Sequence, residues 1–535
     1  MKKLPKNIED LFYNPKKDSI SFLIKKIIKI HKGILTMTDF SKSTVQQSQK
    51  NNIPEFTIPD SSNSSEKMDD LIAELYNGTP RWNSPNTMYN VAPPPILATV
   101  ITKTFTALYN PNLVLKTASG GSLLTEKKVI CGIADFIGWR NENYDGIFTF
   151  GGKATTIYGI KIGLKKCSVN SPRNGVKEDI IIFSTKSGHP SHISDAEWLG
   201  IGADNVTRIN TDDEGRINLN ELENNILQTT KENKKIATII ISGGTTNSMI
   251  VDPIKEVVEL RDRLVRELNL TYTPHIHVDA VVGFPWIFFK EYNMNSNNLN
   301  LSKNALLRIS NIIKDLKNLH MADSFGIDFH KMGFCPYISS LFMIKDKAEF
   351  SGLGNSNSPF VYSIENSRSG DGPNSAYISL NVLGVQGYQI LIAHLTETAI
   401  DLEYQLEKSK KFFVMNKTGI GISVLFSPHL PENVELNQDL ELETKIRNAY
   451  NSRFITKISE LNNPFYIDKI PGNSTGANPY PFVVLKAYLM SPFSNKKSNS
   501  EFVSFLVKLK HIIDSEFDFK NIINTEDSNS NHPLK

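Results

Sequence analysis

At 535 residues, with 40% hydrophobic and 21% charged side chains, the chain holds enough apolar material for a large core and more than one packed domain. A formal net charge of +3 over that length, with Lys and Arg scattered rather than gathered into a stripe, argues against a nucleic-acid-binding surface. Cys131, Cys167 and Cys335 lie far apart and make neither a CxxC pair nor a zinc spacing, which predicts no metal site and a reducing, cytoplasmic setting.

No window reaches the roughly 18 consecutive apolar residues of a membrane span. The nearest stretch, ISFLIKKIIKIHKGIL (20–35), is broken by lysines and a histidine, and no small-residue cleavage site follows it. It reads as a surface helix or packing arm in preference to a helix lying on a membrane, and Met37 opens a shorter chain without it. Residues 38–67, with SKSTVQQSQKNN and SSNSSEK, are polar and low in complexity, so residues 1–67 are expected to form a basic, partly disordered extension. Residues 68–130 read as an N-terminal helical segment: MDDLIAELYNG has apolar residues at helical spacing, and NVAPPPILATVITKTFTALYN is a proline-marked turn before an apolar helix.

From about residue 146 strands and helices alternate. GIFTFGG, EDIIIFST, ADNVTRIN, KIATIIISGG, HIHVDAVVGF and SFGIDFHK read as strands, followed by SSLFMIKD. KATTIYGIKIGLKK, LNELENNILQTTKE and PIKEVVELRDRLVREL read as helices, the last opened by Pro253. Apolar strands flanked by helices predict an α/β sheet covered on both faces, here assigned to residues 131–400, with function gathered where strand ends meet loops. The Asn-rich NMNSNNLNLSKN reads as a surface excursion, and a long helix is expected from Asn374 to about Lys408. Residues 401–535, with strands at ISVLFSP and FVVLKAYLM and a last helix near EFVSFLVKLKHIIDSEF, read as a smaller α+β domain.

Two charged residues end apolar strands. Asp279 in HVDA needs a cation, because a desolvated, unpaired carboxylate is costly, and Lys331 in DFHKMG needs an anion or a chemical task. One solution is a direct salt bridge between them. The other places pyridoxal phosphate there, with Lys331 forming a Schiff base to its aldehyde and Asp279 keeping the pyridine nitrogen protonated so that the ring accepts electrons. That second solution requires further parts. A phosphate needs backbone N–H groups at a helix start, and FTFGGKATT offers Gly151, Gly152 and Thr155 at a strand-to-helix turn. His189 or His192 in STKSGHPSH would stack on the ring. Thr245 and Thr246 in SGGTTNSMIVDP would hydrogen-bond near it, and Asp323 and Ser324 lie just upstream of the lysine. The GGK run is no nucleotide P-loop, since Ile147 and Ala154 occupy positions that need Gly and Ser or Thr.

The order of glycine turn, histidine, GTT…DP, HVDA and DSFGIDFHKMG resembles the group II pyridoxal phosphate-dependent amino acid decarboxylases of fold type I. That family includes the glutamate, aromatic amino acid and archaeal tyrosine/aspartate decarboxylases. The likeness runs from Met68 to the C-terminal helix, and HVDA and DFHKMG are its most specific parts. It implies a large, mostly parallel sheet domain with helices on both faces and a small C-terminal α+β domain. It also implies a pyridoxal 5'-phosphate cofactor, an L-amino acid substrate, and a homodimer with sites at the subunit interface. By this resemblance Lys331 is the Schiff-base lysine, His330 a neighbour of cofactor or substrate, and Asp279 the partner of the ring nitrogen. His189 is the stacking imidazole, preferred to His192 on an ungapped match through GHPSHISDAEWLGIG. The reaction implied is loss of the α-carboxylate as CO₂, its electrons passing into the pyridinium. Tyr362 in NSPFVYSIENSRSG is a candidate proton donor to Cα or an ordinary packing tyrosine. Arg368 is a candidate contact for cofactor or neighbouring subunit. Tyr89 and Asn90 in RWNSPNTMYNVAPPP either border the substrate pocket or anchor the arm.

Three departures mark a divergent branch. Lys153 stands at the phosphate turn, Val281 replaces a small residue two places after the aspartate, and the loop between Asp279 and Lys331 is long. The substrate side chain is not legible in the sequence. Two other readings stay open: a pyridoxal phosphate lyase or aminotransferase of the same fold that breaks a different bond at Cα, and a non-catalytic binding or scaffold protein.

Overall fold

The computed structural model describes residues 19–37, 56–60, 65–76, 79–139, 143–351, 363–416, 421–431, 434, 439–461, 463–475 and 478–519. Most of the expected tether lies outside the described residues, as does Tyr362.

The chain opens with α1 (Ser19–Met37), packed on α2 (Ser65–Leu75) and pinned to it where Lys26 and Lys29 approach the buried Asp69 carboxylate at 2.9 and 2.8 Å. A two-residue strand β1 (Thr87–Met88) and helices α3 (Leu97–Tyr109) and α4 (Ser122–Ile137) follow. The large domain then alternates β2 (Asp145–Thr149), α5 (Gly152–Cys167), β3 (Ile180–Thr185), α6 (Ser191–Trp198), β4 (Val206–Ile209), α7 (Leu219–Lys231) and β5 (Lys235–Ser242). After these come α8 (Ile254–Glu267), β6 (His275–Asp279), α9 (Lys303–Leu316), β7 (Ser324–Asp328) and β8 (Ser340–Ile344).

Its seven strands run β2-β8-β7-β6-β5-β3-β4, with β8 antiparallel to both neighbours and the other pairings parallel. The β-branched runs IIIFST of β3 and KIATIIIS of β5 are buried along almost their whole length, as strands covered on both faces must be. Helix α5 lies across β5, β6 and β7 at close range. At Gly163 a Cβ would fall 2.2 Å from Thr238 Oγ1 and 2.3 Å from the Ala237 carbonyl, so only glycine lets this helix down onto the sheet.

Helix α10 (Asp371–Lys408), bent at Gly384 (φ 56°), joins the two cores. Ala376, Tyr388, Ile392 and Leu395 pack in the large domain, whereas Ala399, Leu402 and Leu406 pack in the small one. The boundaries read at 130/131 and 400/401 therefore fall inside α4 and α10. Among the described residues α10 is also the one helix long and apolar enough to cross a membrane by length and composition; here it packs against α3, α4 and α12 (Lys496–Glu516).

The small domain adds β9 (Phe412–Val414), β10 (Ser423–Pro428), α11 (Leu440–Glu460), β11 (Tyr466–Thr475) and β12 (Asn478–Tyr488), before α12. Its sheet runs β1-β11-β12-β10-β9, so the N-terminal segment is stitched into it through β1.

Candidate active site

The carboxyl ends of β2, β3, β5, β6 and β7 share one edge of the large sheet, where loops gather function in open α/β folds. Register fixes the neighbours: Ser242 is opposite Asp279, Asp279 opposite Gly326, and Asp328 opposite Ser340.

Lys331 sits on the turn after β7, its N–H donating to the Asp328 carbonyl at 3.1 Å. Its Nζ lies 2.8 Å from Asp328 Oδ2, and Ser340 Oγ donates to Asp328 Oδ1 at 2.5 Å. Asp279 is engaged elsewhere, by His192 Nε2 at 3.2 Å from Oδ2. The direct Asp279 to Lys331 pair considered from the sequence is thus absent, because each charge already has a partner beside it. Burial opposes the charged form of Lys331, but the Asp328 carboxylate outweighs it and holds the lysine above its ordinary value. Burial likewise opposes ionisation of Asp279. The His192 hydrogen bond and the charges of Lys331 and His189 prevail, holding it below the usual carboxylate range.

The histidine pair of the β3 loop is divided between two roles. His192, 1% exposed, reaches inward to Asp279 and takes Ser184 Oγ at 2.7 Å on its other nitrogen. His189 stands at the exposed rim, Nδ1 on Ser191 Oγ at 2.8 Å, its ring 6.5 Å from that of His192. Arg208 of β4 holds the loop by donating to the carbonyls of Lys186, Gly188 and His189.

The glycine turn is a cradle. Helix α5 starts after Gly151 without a side-chain cap. A Cβ on Gly152 would come 2.7 Å from Asp328 Oδ2 and 3.0 Å from Val281 Cγ1, so this turn, Val281 and the lysine's partner are packed together. Thr155 has its hydroxyl already engaged: Oγ1 donates back to the Gly152 carbonyl at 2.7 Å and the side chain lies against Gly326. Lys153 reaches across to α6, where Nζ meets Ser194 Oγ at 2.9 Å and the fully buried Asp195 Oδ1 at 3.6 Å.

The loop after β5 is fastened by Asp252, fully buried and accepting from Thr185 Oγ1, Ser242 N and Ile217 N at 2.5–2.7 Å. Thr245 spends its Oγ1 on the Ile250 N–H, and Thr246 is half-buried on the same loop. His330 hydrogen-bonds the Ser339 backbone through Nδ1 and lies against the Tyr337 ring, tilted by 39° with centroids 4.4 Å apart.

Three expected residues fall elsewhere. Asp323 and Ser324 lie at the opposite end of β7 from the lysine turn, the five-residue strand itself being about 13 Å long. There Asp323 pairs with Arg261 at 2.6 Å, and Ser324 bridges the buried His275 and His277. Arg368 is spent on a buried bidentate pair with Glu126, at 2.5 and 3.2 Å, and on the Phe148 carbonyl; it clamps α4 to β2.

A second cluster closes the seam between the domains. Tyr89 stacks on Tyr466 at 4.6 Å. The buried Lys486 of β12 meets Asp468 Oδ2 at 2.8 Å, Asn90 Oδ1 at 3.3 Å and Asn247 Oδ1 at 3.5 Å, the last on the loop after β5. The sequence reading passed over Lys486, Asn247, Tyr337 and Asp328. Only Asp328 carried a local signal, an acid closing an apolar strand three residues before the lysine.

This large domain with its lysine-bearing edge and appended small domain is the fold-type-I architecture of pyridoxal phosphate-dependent decarboxylases. Mouse CSAD superposes with a TM-score of 0.77 at 15% identity, covering 94% of this chain and 100% of that one. Catharanthus roseus tryptophan decarboxylase gives 0.73 at 15%, covering 94% and 100%. No family model matches the chain. In sequence it is similar to the bovine acidic amino acid decarboxylase GADL1, 25% identical over 252 residues, which are 47% of this chain and 43% of the relative. It is also similar to L-tyrosine decarboxylase of Enterococcus faecalis, 26% identical over 369 residues, 58% of this chain and 57% of the relative. The resemblance to group II amino acid decarboxylases therefore holds, at the low identity of a divergent branch. The chain spans about half the length of the curated relatives it matches.

Proposed function

We propose that this protein is a pyridoxal phosphate-dependent enzyme that removes the α-carboxylate of an L-amino acid or close analogue as CO₂. The observation that carries the reading is the convergence of Lys331, Asp279 and the Gly151–Gly152 turn on one sheet edge. Both charges there are held by partners of their own, Asp328 and His192. The residues suit the group. Lys331 and Asp279 keep 20% and 12% of their side-chain surface accessible, and Asp279 Oδ1 has only a 3.4 Å contact from the Val281 N–H. The uncapped start of α5 offers backbone N–H groups to a phosphate.

In this proposal Lys331 holds the cofactor covalently, Asp279 keeps the ring nitrogen protonated, and the Gly151–Gly152 turn takes the phosphate. His189 borders the ring from the rim and His330 the lysine turn; Thr246 lies nearby. When bound, the cofactor supplies a protonated ring that accepts the electron pair left by CO₂. Tyr89 and Asn90, beside the buried Lys486 ammonium, form the substrate side of the seam, and Tyr362 remains the candidate donor to Cα. A cytoplasmic homodimer accompanies this reading. Leu97, Val100, Ile101 and Phe105 of α3 and Val382 and Val385 of α10 are exposed apolar residues on two helices packed side by side, which a second copy would cover.

The test is product analysis of purified protein with cofactor. The panel of L-amino acids includes aspartate, glutamate, tyrosine and 2,4-diaminobutyrate. CO₂ and the matching amine, lost in Lys331→Ala, support the proposal. An aldehyde or keto acid indicates a different bond broken at Cα, and no turnover of any member indicates a binding protein.

A further inference from the structure

We infer that His192 is a positioning residue for Asp279: held by the Ser184 hydroxyl, its Nε2–H fixes one carboxylate oxygen and leaves the other for the ring nitrogen of the cofactor. The inference rests on the function proposed above and assigns a role to a residue outside that set of contacts.

For a neutral imidazole, the neighbours of the two ring nitrogens set the direction of each hydrogen bond. Ser184 Oγ is 2.7 Å from Nδ1 and Asp279 Oδ2 is 3.2 Å from Nε2. If Nδ1 carried the only ring proton, the lone pair of Nε2 would face a carboxylate oxygen. Donation from Ser184 to Nδ1 puts the proton on Nε2, where it is shared with Asp279. The chain is rigid at every link. Ser184 is fully buried near the end of β3, His192 is 1% exposed on α6, and Asp279 ends β6. β5 lies between β3 and β6, so three adjacent strands and one helix set the distances.

The consequence is chemical. Without His192, Oδ2 would face a buried space with no donor, and a desolvated carboxylate in that position takes up a proton. A neutral Asp279 no longer favours protonated pyridine, so the ring would lose its capacity to accept electrons. A purely structural histidine would influence folding alone.

The experiment reconstitutes full-length apoprotein with ¹⁵N-labelled pyridoxal phosphate. It reads the ring-nitrogen chemical shift, which separates protonated from neutral pyridine, together with the cofactor dissociation constant. The expected result is a protonated ring in the native protein and in His192→Gln, whose amide reaches the place of Nε2. His192→Leu should give a neutral ring and roughly tenfold weaker cofactor binding. Asp279→Asn should match His192→Leu. A protonated ring and native affinity in His192→Leu, with both altered in Asp279→Asn, overturns the inference and leaves the proposed function standing. If Asp279→Asn also changes neither, the proposed role of Asp279 fails and this inference with it. Should His192→Leu not fold, His192→Asn replaces it. Its amide reaches only the place of Nδ1, so behaviour equal to His192→Gln overturns the inference.

Discussion

Replacing Asp328 by asparagine should make Lys331 load with cofactor faster at neutral pH, although it removes the lysine's ion-pair partner. The native amine is held as ammonium by the Asp328 carboxylate 2.8 Å away, and only the neutral amine attacks an aldehyde. At 2.8 Å the attraction is about 1.5 kcal/mol even with the dielectric constant of bulk water, which converts to roughly a tenfold change in neutral amine. The true factor is larger, because Asp328 is 1% exposed and less screened. Burial, which acts in the opposite direction, is common to both proteins and leaves this ratio unchanged. Stopped-flow absorbance of apoprotein mixed with pyridoxal phosphate, from about pH 6 to pH 9, measures it. Asp328→Asn is expected to load at least about tenfold faster near pH 7, with a shallower rise toward alkaline pH. An unchanged or slower rate with the native pH slope would refute the electrostatic account of this lysine.

Gly152→Ala places a methyl 2.7 Å from Asp328 Oδ2 and 3.0 Å from Val281, neither free to move, so a loss of about 1–3 kcal/mol is expected in denaturant unfolding, with weakened cofactor binding. Arg368→Met leaves Glu126 buried without its cation and should cost about 3–5 kcal/mol, whereas the double change Glu126→Leu with Arg368→Met should recover most of it. Asp195 has its carboxyl raised to about 7, chiefly by burial and against the pull of Lys153. Such an acid favours the folded state when protonated. On the order of 4 kcal/mol of stability is therefore present below about pH 4 and lost as pH rises through about 7. Asp195→Asn should flatten that part of the stability profile, measured by chemical denaturation at a series of pH values.

The strand-end residues were legible because a charge at the end of a β-branched run has few places to go. Asp279, Lys331 and the glycine turn all met on the edge the sequence assigned to them. Sequence order does not say which end of a strand a residue occupies. Asp323 and Ser324 were therefore placed near Lys331, although β7 itself separates them from it, while Asp328 at the near end went unnoticed. His189 and His192 sit three residues apart, and only the start of α6 between them, leaving His189 in the loop and His192 on the helix, turns one outward and the other onto Asp279. Arg368 was a candidate ligand contact by resemblance alone, and its actual partner, Glu126, comes from a helix far back in the chain that sequence order does not bring near it. Strand β11 was not among the expected strands: Pro471 and Gly472 interrupt it, and the structure accommodates them with register irregularities between Ile470 and Thr475. Lys486 was hidden inside FVVLKAYLM, where one cation among apolar residues gave no hint that Asn90, Asn247 and Asp468 surround it.

The measurement closest to the central claim is borohydride reduction of cofactor-loaded protein, followed by peptide mapping. A stable pyridoxyl adduct is expected on the peptide carrying Lys331 and on no other lysine, with the absorbance of the bound cofactor lost in Lys331→Ala. Cofactor supplied in excess with no adduct at Lys331, or an adduct confined to Lys153 or Lys486, would contradict it.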